Sequence, residues 1–175
     1  MATILIIFST TDGHTRRICA RIQSHLEAAQ HEVTVVDVEQ IGDLDLLAHD
    51  KLVIGASIRY GKHSKAIRRF VTERYAELGE RPNAFFTVNV VARKPNKNTP
   101  ETNPYIQKFL EQVPWKPDHL GVFAGVINYA LYGPVDRTMI RFIMWMTKGP
   151  TDPSANVEFT NWQTVDEFAQ HVEAM

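Results

Sequence analysis

A single cysteine, Cys19, among 175 residues excludes an intramolecular disulfide and any multi-cysteine metal site, and suits a reducing, cytoplasmic setting. Charge of one sign is lacking too. Nineteen basic and 20 acidic side chains leave a formal net charge of −1, so there is no broadly basic surface for nucleic acid. No lysine precedes Lys51, which removes the ATP-type loop whose lysine reaches the terminal phosphates, and the three spaced glycines of a dinucleotide fingerprint are missing. None of the seven histidines falls in a His-x3-His or His-Glu-x2-His spacing, so no metal is expected. No basic segment followed by an apolar stretch precedes the first strand, and no secretion signal is expected. Without internal repeats or low-complexity linkers, and with 44% apolar residues, residues 1–175 read as one domain.

What is present begins near the start of the chain. Ile4 to Phe8 form the continuous apolar run of a strand buried on both faces of a parallel sheet. The run passes into Ser9, Thr10, Thr11, Asp12, Gly13, His14 and Thr15, and helical spacing starts at once. Hydroxyl donors, a glycine free to take positive φ and the positive end of a helix make a cradle for one phosphate monoester. The plainer reading is that these residues only cap the helix and turn the chain.

Strand and helix patterns then alternate with short connections. Ile18, Ile22 and Leu26 mark a helix, Val33 to Val38 a strand, and Leu52 to Ala56 a third strand. Ile67, Phe70, Val71 and Leu78 mark a helix, Ala84 to Val88 a fourth strand and residues 101–112 a helix carrying Tyr105, Ile106 and Phe109. Leu120 to Ala124 begins a fifth strand, and residues 161–174 close the chain as a helix. This α/β pattern predicts a doubly wound, five-stranded parallel sheet of order 2-1-3-4-5, with ligands beyond the carboxyl ends of strands one, three and four. Ser57, Ile58, Arg59, Tyr60 and Gly61 follow strand three; Asn89, Val90, Val91, Ala92, Arg93 and Lys94 follow strand four. Phosphate donors, a planar aromatic and an amide in three loops are what a flavin needs, and Tyr60 is placed to stack on the ring.

The loop from Phe8 to Thr15 and the order of elements resemble flavodoxins, which bind FMN with its phosphate on the first loop. Three further segments are similar to the menaquinone-dependent protoporphyrinogen oxidases of bacterial haem synthesis. They are Val53-Ile-Gly-Ala-Ser-Ile-Arg-Tyr-Gly61, Val88-Asn-Val-Val-Ala-Arg-Lys-Pro95 and Thr99-Pro-Glu-Thr-Asn103. The similarity spans essentially the whole chain; Thr11 departs from it by replacing a charged residue with a hydroxyl. It implies FMN as cofactor, held by the three loops just named, and oxidation of protoporphyrinogen IX to protoporphyrin IX with electrons passing to menaquinone or ubiquinone. Arg59, Arg93, Lys94 and Lys97 are the cations it makes available for the substrate propionates. Other readings are a flavodoxin-type FMN electron carrier, a flavin-dependent quinone reductase and a cofactor-free binding domain. A homo-oligomer stays open.

Between the fifth strand and the last helix lies an insertion, about 126–156, far longer than an ordinary connection. Pro134 opens and Gly149-Pro150 closes a helical stretch, Val135 to Lys148, rich in Met, Ile, Phe and Trp. Fourteen residues reach about 21 Å, too short to span a bilayer. The stretch fits either a helix packed on the domain or an amphipathic surface element that lies on anionic membrane or covers the mouth of a lipophilic substrate site, with Arg137, Arg141, Phe142 and Trp145 as its membrane or quinone contacts. The second reading makes the protein peripheral on the inner face of the cell membrane. Among the histidines, His63 is the candidate for the rim of the active site.

Overall fold

The computed structural model describes residues 1–175. Strands β1 (Thr3–Ser9), β2 (Glu32–Asp37), β3 (Lys51–Arg59), β5 (Asn83–Asn89) and β6 (His119–Ala124) form a parallel sheet of order β2-β1-β3-β5-β6. Counted over these five strands, this is the expected 2-1-3-4-5 order.

Alternation along each strand divides the core between the faces. Ile4, Ile6 and Phe8 join Val53 and Phe86 under α1 (His14–Ala28) and α5 (Trp162–Ala174). Leu5 and Ile7 join Leu52, Ile54 and Phe85 under α2 (Lys65–Gly79) and α3 (Pro104–Gln112). With helices on both faces, the carboxyl edge of the sheet is the place where a fold of this kind takes its ligand.

Several elements differ from the expected outline, each for a local reason. Helix α3 starts at Pro104 rather than residue 101, because Asn103 caps it by accepting from the N–H groups of Tyr105 and Ile106. The short strand β4 (Lys62–His63) folds back on β3 through Tyr60 and Gly61, whose φ values of 51° and 73° suit a tight primed hairpin turn. Within the insertion, β7 (Val126–Asn128) and β8 (Asn156–Glu158) pair antiparallel and bracket α4 (Pro134–Met146). Helix α4 stops before the expected Lys148, which takes a left-handed φ of 58° ahead of Gly149. The insertion has its own apolar cluster, Ile127, Tyr129, Tyr132, Ile140 and Met144. No helix is long and apolar enough to cross a membrane.

Candidate active site

The main cleft opens at the carboxyl edge of the sheet; its empty space, mouth included, is about 870 Å³. Its floor comes from the first loop, where Thr10, Thr11, Asp12, His14 and Thr15 line it. Gly13, at φ 87°, turns the chain into α1 and brings no side chain to cap the helix; its N–H donates to Thr10 Oγ1 at 3.0 Å. Thr15 is fully buried in that first turn, and its Oγ1 has no hydrogen-bond partner. A buried hydroxyl without a partner costs about 1–3 kcal/mol, so its retention beside uncapped helix N–H groups marks a place for an acceptor. The fit to a phosphate is good.

His14 lies beside this floor. Thr160 Oγ1 donates its one proton to Ala124 O at 2.7 Å, so it accepts at 2.6 Å from His14 Nε2–H. That network assigns the Nε2 tautomer and leaves Nδ1 as a buried lone pair without a hydrogen-bond partner, 3.9 Å from Glu158 Oε1. Burial holds the imidazole below its ordinary pKa against the pull of Glu158.

The second wall is Ser57, Ile58, Arg59, Tyr60 and Gly61; the third includes Asn89, Val90 and Val91. Asn89 is buried, its Oδ1 accepting from Ala92 N and Asn103 Nδ2, which fixes the turn after β5. The remaining wall comes from the insertion, which the sequence offered as one possible cover for the mouth of a lipophilic site without singling out the residues that line it. Val126, Ile127, Tyr132, Ile140, Ile143 and Met144 of the insertion close the cleft, and Tyr105 of α3 joins the rim. The apolar spacing of α4 showed that one face had to be covered, but nothing local showed that it would face this cleft.

Several predicted residues lie elsewhere. Ser9 turns to Ser64, with 2.8 Å between the hydroxyl oxygens, and neither Ser9 nor Gly13 lines the cleft. Ala92, Arg93, Lys94 and Lys97 lie outside it as well, because Val90–Arg93 coil into a short helical turn directly after Asn89 and Pro95–Lys97 into a second. Arg93 points into the insertion: Nη1 donates to Val90 O at 3.0 Å, Nη2 to Thr147 O at 2.9 Å, and the guanidinium lies over Phe159. It is a strut for α4, and the expectation of a propionate contact is corrected for it. Arg93→Ala should therefore loosen α4 by about 1–3 kcal/mol, read as faster hydrogen exchange over residues 134–149 with the β1 and β3 amides unchanged.

Arg59 does line the cleft, but its guanidinium is bonded to Asp12, lies 3.6 Å from Asp136 Oδ2 and sits over the Tyr132 ring. It is not the free cation the sequence suggested. Tyr60 also bonds to Asp136 through its hydroxyl, so two residues of the second wall clasp the start of α4. Of the proposed membrane contacts, Phe142 and Trp145 are 54% and 71% exposed. Arg141 Nε donates to Thr151 O at 2.9 Å, and Arg137 reaches Tyr132 O at 3.5 Å.

His63 is a correction. It is buried between Phe85 and Phe109, its Nε2 is 2.9 Å from Thr87 Oγ1, and it does not line the main cleft. Burial, aided by Arg68, pushes its pKa down to about 3, so it stays neutral in the folded chain. Between pH 6.5 and about 3 the unfolded chain binds the extra proton. Stability must then fall as pH falls through that window, by at most ~1.4 kcal/mol per unit. Urea midpoints measured across it should drop less steeply for His63→Gln than for the parent.

Comparison with known proteins places the chain. The Flavodoxin domain family matches residues 5–154. Protoporphyrinogen IX dehydrogenase (quinone) of Escherichia coli strain K12 is 43% identical over 168 residues, covering 96% of this chain and 93% of the relative. The protein of the same name from Leishmania major is 42% identical over 172 residues, covering 98% of this chain and 74% of the relative. The chain belongs to the flavodoxin-domain protoporphyrinogen IX dehydrogenase family. A short-chain flavodoxin associated with a non-canonical PDU bacterial microcompartment superposes with a TM-score of 0.57 over 99% of this chain and 98% of that one. At 11% identity that likeness speaks for the fold alone. A flavodoxin domain implies a flavin, and the unpartnered Thr15 hydroxyl beside the uncapped start of α1 is compatible in chemistry with such a group.

Proposed function

We propose that this flavodoxin-domain chain, acting as one unit with residues 126–156 as its insertion, binds FMN and oxidises protoporphyrinogen IX to protoporphyrin IX, with menaquinone or ubiquinone taking the electrons. The observation that carries the reading is the composition of the cleft: a hydroxyl-lined helix start at one end and, along the side, an apolar wall brought by the insertion. An electron carrier that meets its partners through protein surfaces has no use for such a wall, and a net charge of −1 offers no acidic docking field.

Thr10, Thr11 and Thr15, with the first N–H groups of α1, would hold the phosphate. Tyr60, Gly61, Asn89, Val90 and Val91 would border the ring. Bound FMN supplies two-electron redox chemistry, so the six-electron oxidation of the macrocycle takes three rounds. The chain positions the reactants and keeps water away. Ile127, Ile140, Ile143 and Met144 offer apolar area to a macrocycle or a quinone, and the clasp of Arg59 and Tyr60 on Asp136 holds that wall in place.

The outer face of α4 leaves Val135, Met139, Phe142, Trp145 and Met146 exposed next to Arg137, Arg141 and Lys148. That face would rest on anionic lipid at the inner surface of the cell membrane, where a lipophilic quinone is dissolved. The enzymatic reading is tested by anaerobic mixing of the FMN-loaded protein with protoporphyrinogen IX. Flavin absorbance should bleach as porphyrin fluorescence rises, and a menaquinone analogue should restore the absorbance. An unbleached flavin, with porphyrin forming no faster than without protein, sinks the proposal.

A further inference from the structure

Two small recesses adjoin the cleft where β4 leads into α2. The first, about 560 Å³ of empty space with its mouth included, has no apolar residue in its lining. It shares Thr11, Ser57 and Arg59 with the cleft, and its other walls are Lys62, His63, Ser64, Lys65 and Arg68. The second is bordered by Gly61 and Tyr105 of the cleft, by Lys62 and Arg68 again, and by Lys108. No carboxylate lines either recess.

Most of these cations are unpaired. Arg59 is occupied by Asp12 and Asp136, and Arg69 and Arg74 on α2 pair with glutamates, but Lys62, Lys65, Arg68 and Lys108 are in no ion pair. Arg68 Nε is buried without a hydrogen-bond partner. The charge is also badly placed for stability. Lys65 is the first residue of α2, whose first turn carries no acidic residue, so positive charge sits against the positive end of the helix. His63, which lines both recesses, is held neutral chiefly by burial and in part by the charge of Arg68, so it adds no carboxylate or other counter-charge there. Clustered cations of this kind destabilise the empty chain and are relieved by an anion.

We propose that Lys62, Lys65 and Arg68 receive the two propionate carboxylates of the porphyrinogen, an assignment that rests on the enzymatic reading above. A ligand with an apolar body and a dianionic edge matches a cleft with an apolar wall that opens, through Thr11, Ser57 and Arg59, into a basic recess. The assignment supplies the cations that Arg59 and Arg93 do not. Free phosphate shares the same chemistry, and the test separates the two.

The FMN-loaded protein is titrated with protoporphyrin IX and with its dimethyl ester, which keeps the ring and loses both charges. The parent should bind the diacid about tenfold more tightly than the ester, the equivalent of one Kd decade. The double variant Lys65→Gln/Arg68→Gln should lose that preference while keeping its ester affinity and its FMN; Arg68→Lys should retain most of it. Inorganic phosphate should compete with the diacid and leave the ester in place. A diacid preference that survives in the double variant overturns the assignment. So does phosphate that occupies the recess, seen by its shifts of the Lys65 and Arg68 resonances, without displacing the diacid. A parent that retains FMN but binds neither porphyrin brings down the enzymatic reading itself, a result distinct from loss of the charge preference alone.

Discussion

Thr15→Val should weaken FMN binding by about 10- to 100-fold and leave the FMN-free protein at least as stable as its parent. The two effects have opposite signs for one reason. The Thr15 hydroxyl is buried and unpaired without ligand, so exchanging it for a methyl of similar shape removes a desolvated polar group at no packing cost. With a phosphate in the loop, the same exchange deletes a hydrogen bond to a charged acceptor, worth about 1.5–3 kcal/mol. Flavin fluorescence titration reads the first effect and urea unfolding of the apoprotein the second. A hydroxyl serving only the helix would show the reverse pattern: lower apoprotein stability and unchanged FMN affinity.

The second large effect concerns the outer face of α4. Phe142→Ser combined with Trp145→Ser should lower partition onto phosphatidylglycerol vesicles on the order of 100-fold, because each aromatic contributes about 1–2 kcal/mol on entering the interface from its partly exposed state. Thermal stability should stay close to that of the parent, since the packing of α4 depends on Ile140 and Met144 on the opposite side. Binding by the parent should also weaken as salt rises or as neutral lipid replaces the anionic lipid, because Arg137, Arg141 and Lys148 act through screened charge. Equal partition of variant and parent would leave the exposed aromatics without this role.

The sheet was legible because its signal is local and repeated. Ile4 to Phe8, Leu52 to Ala56 and Ala84 to Val88 carry no charge and only one polar side chain, Thr87, as strands covered on both faces require, and helical spacing between them forces crossovers of one hand. The three loops at the carboxyl edge followed from that topology. Long-range partnership was not legible. Arg59 and Arg93 looked available because a sequence gives a cation's position along the chain and not its counter-ion; Asp136 and the Thr147 carbonyl come from the insertion, far away in sequence. His63 was misplaced at the rim because the two-residue turn at Tyr60 and Gly61 sends it back under β3, against Phe85 and Phe109.

The insertion shows the same limit. Its proline start, glycine stop and apolar face were readable, and the alternatives of packing inward or facing outward turn out to describe two sides of one helix. Ile140 and Met144 pack inward, while Phe142 and Trp145 face outward. The cleft wall that α4 provides depends on β7 pairing with β8 across some thirty residues, a contact no short-range pattern encodes.

The central claim is that a phosphate is held where α1 begins, and comparing FMN with riboflavin tests it most directly. The two ligands share ring and ribityl chain and differ by the phosphate alone. Titrated into the apoprotein at one pH and salt concentration, FMN should bind at one per chain and at least about 100-fold more tightly than riboflavin, a difference near 2.7 kcal/mol. Equal affinities would mean that the hydroxyl loop holds no phosphate, and would contradict the account.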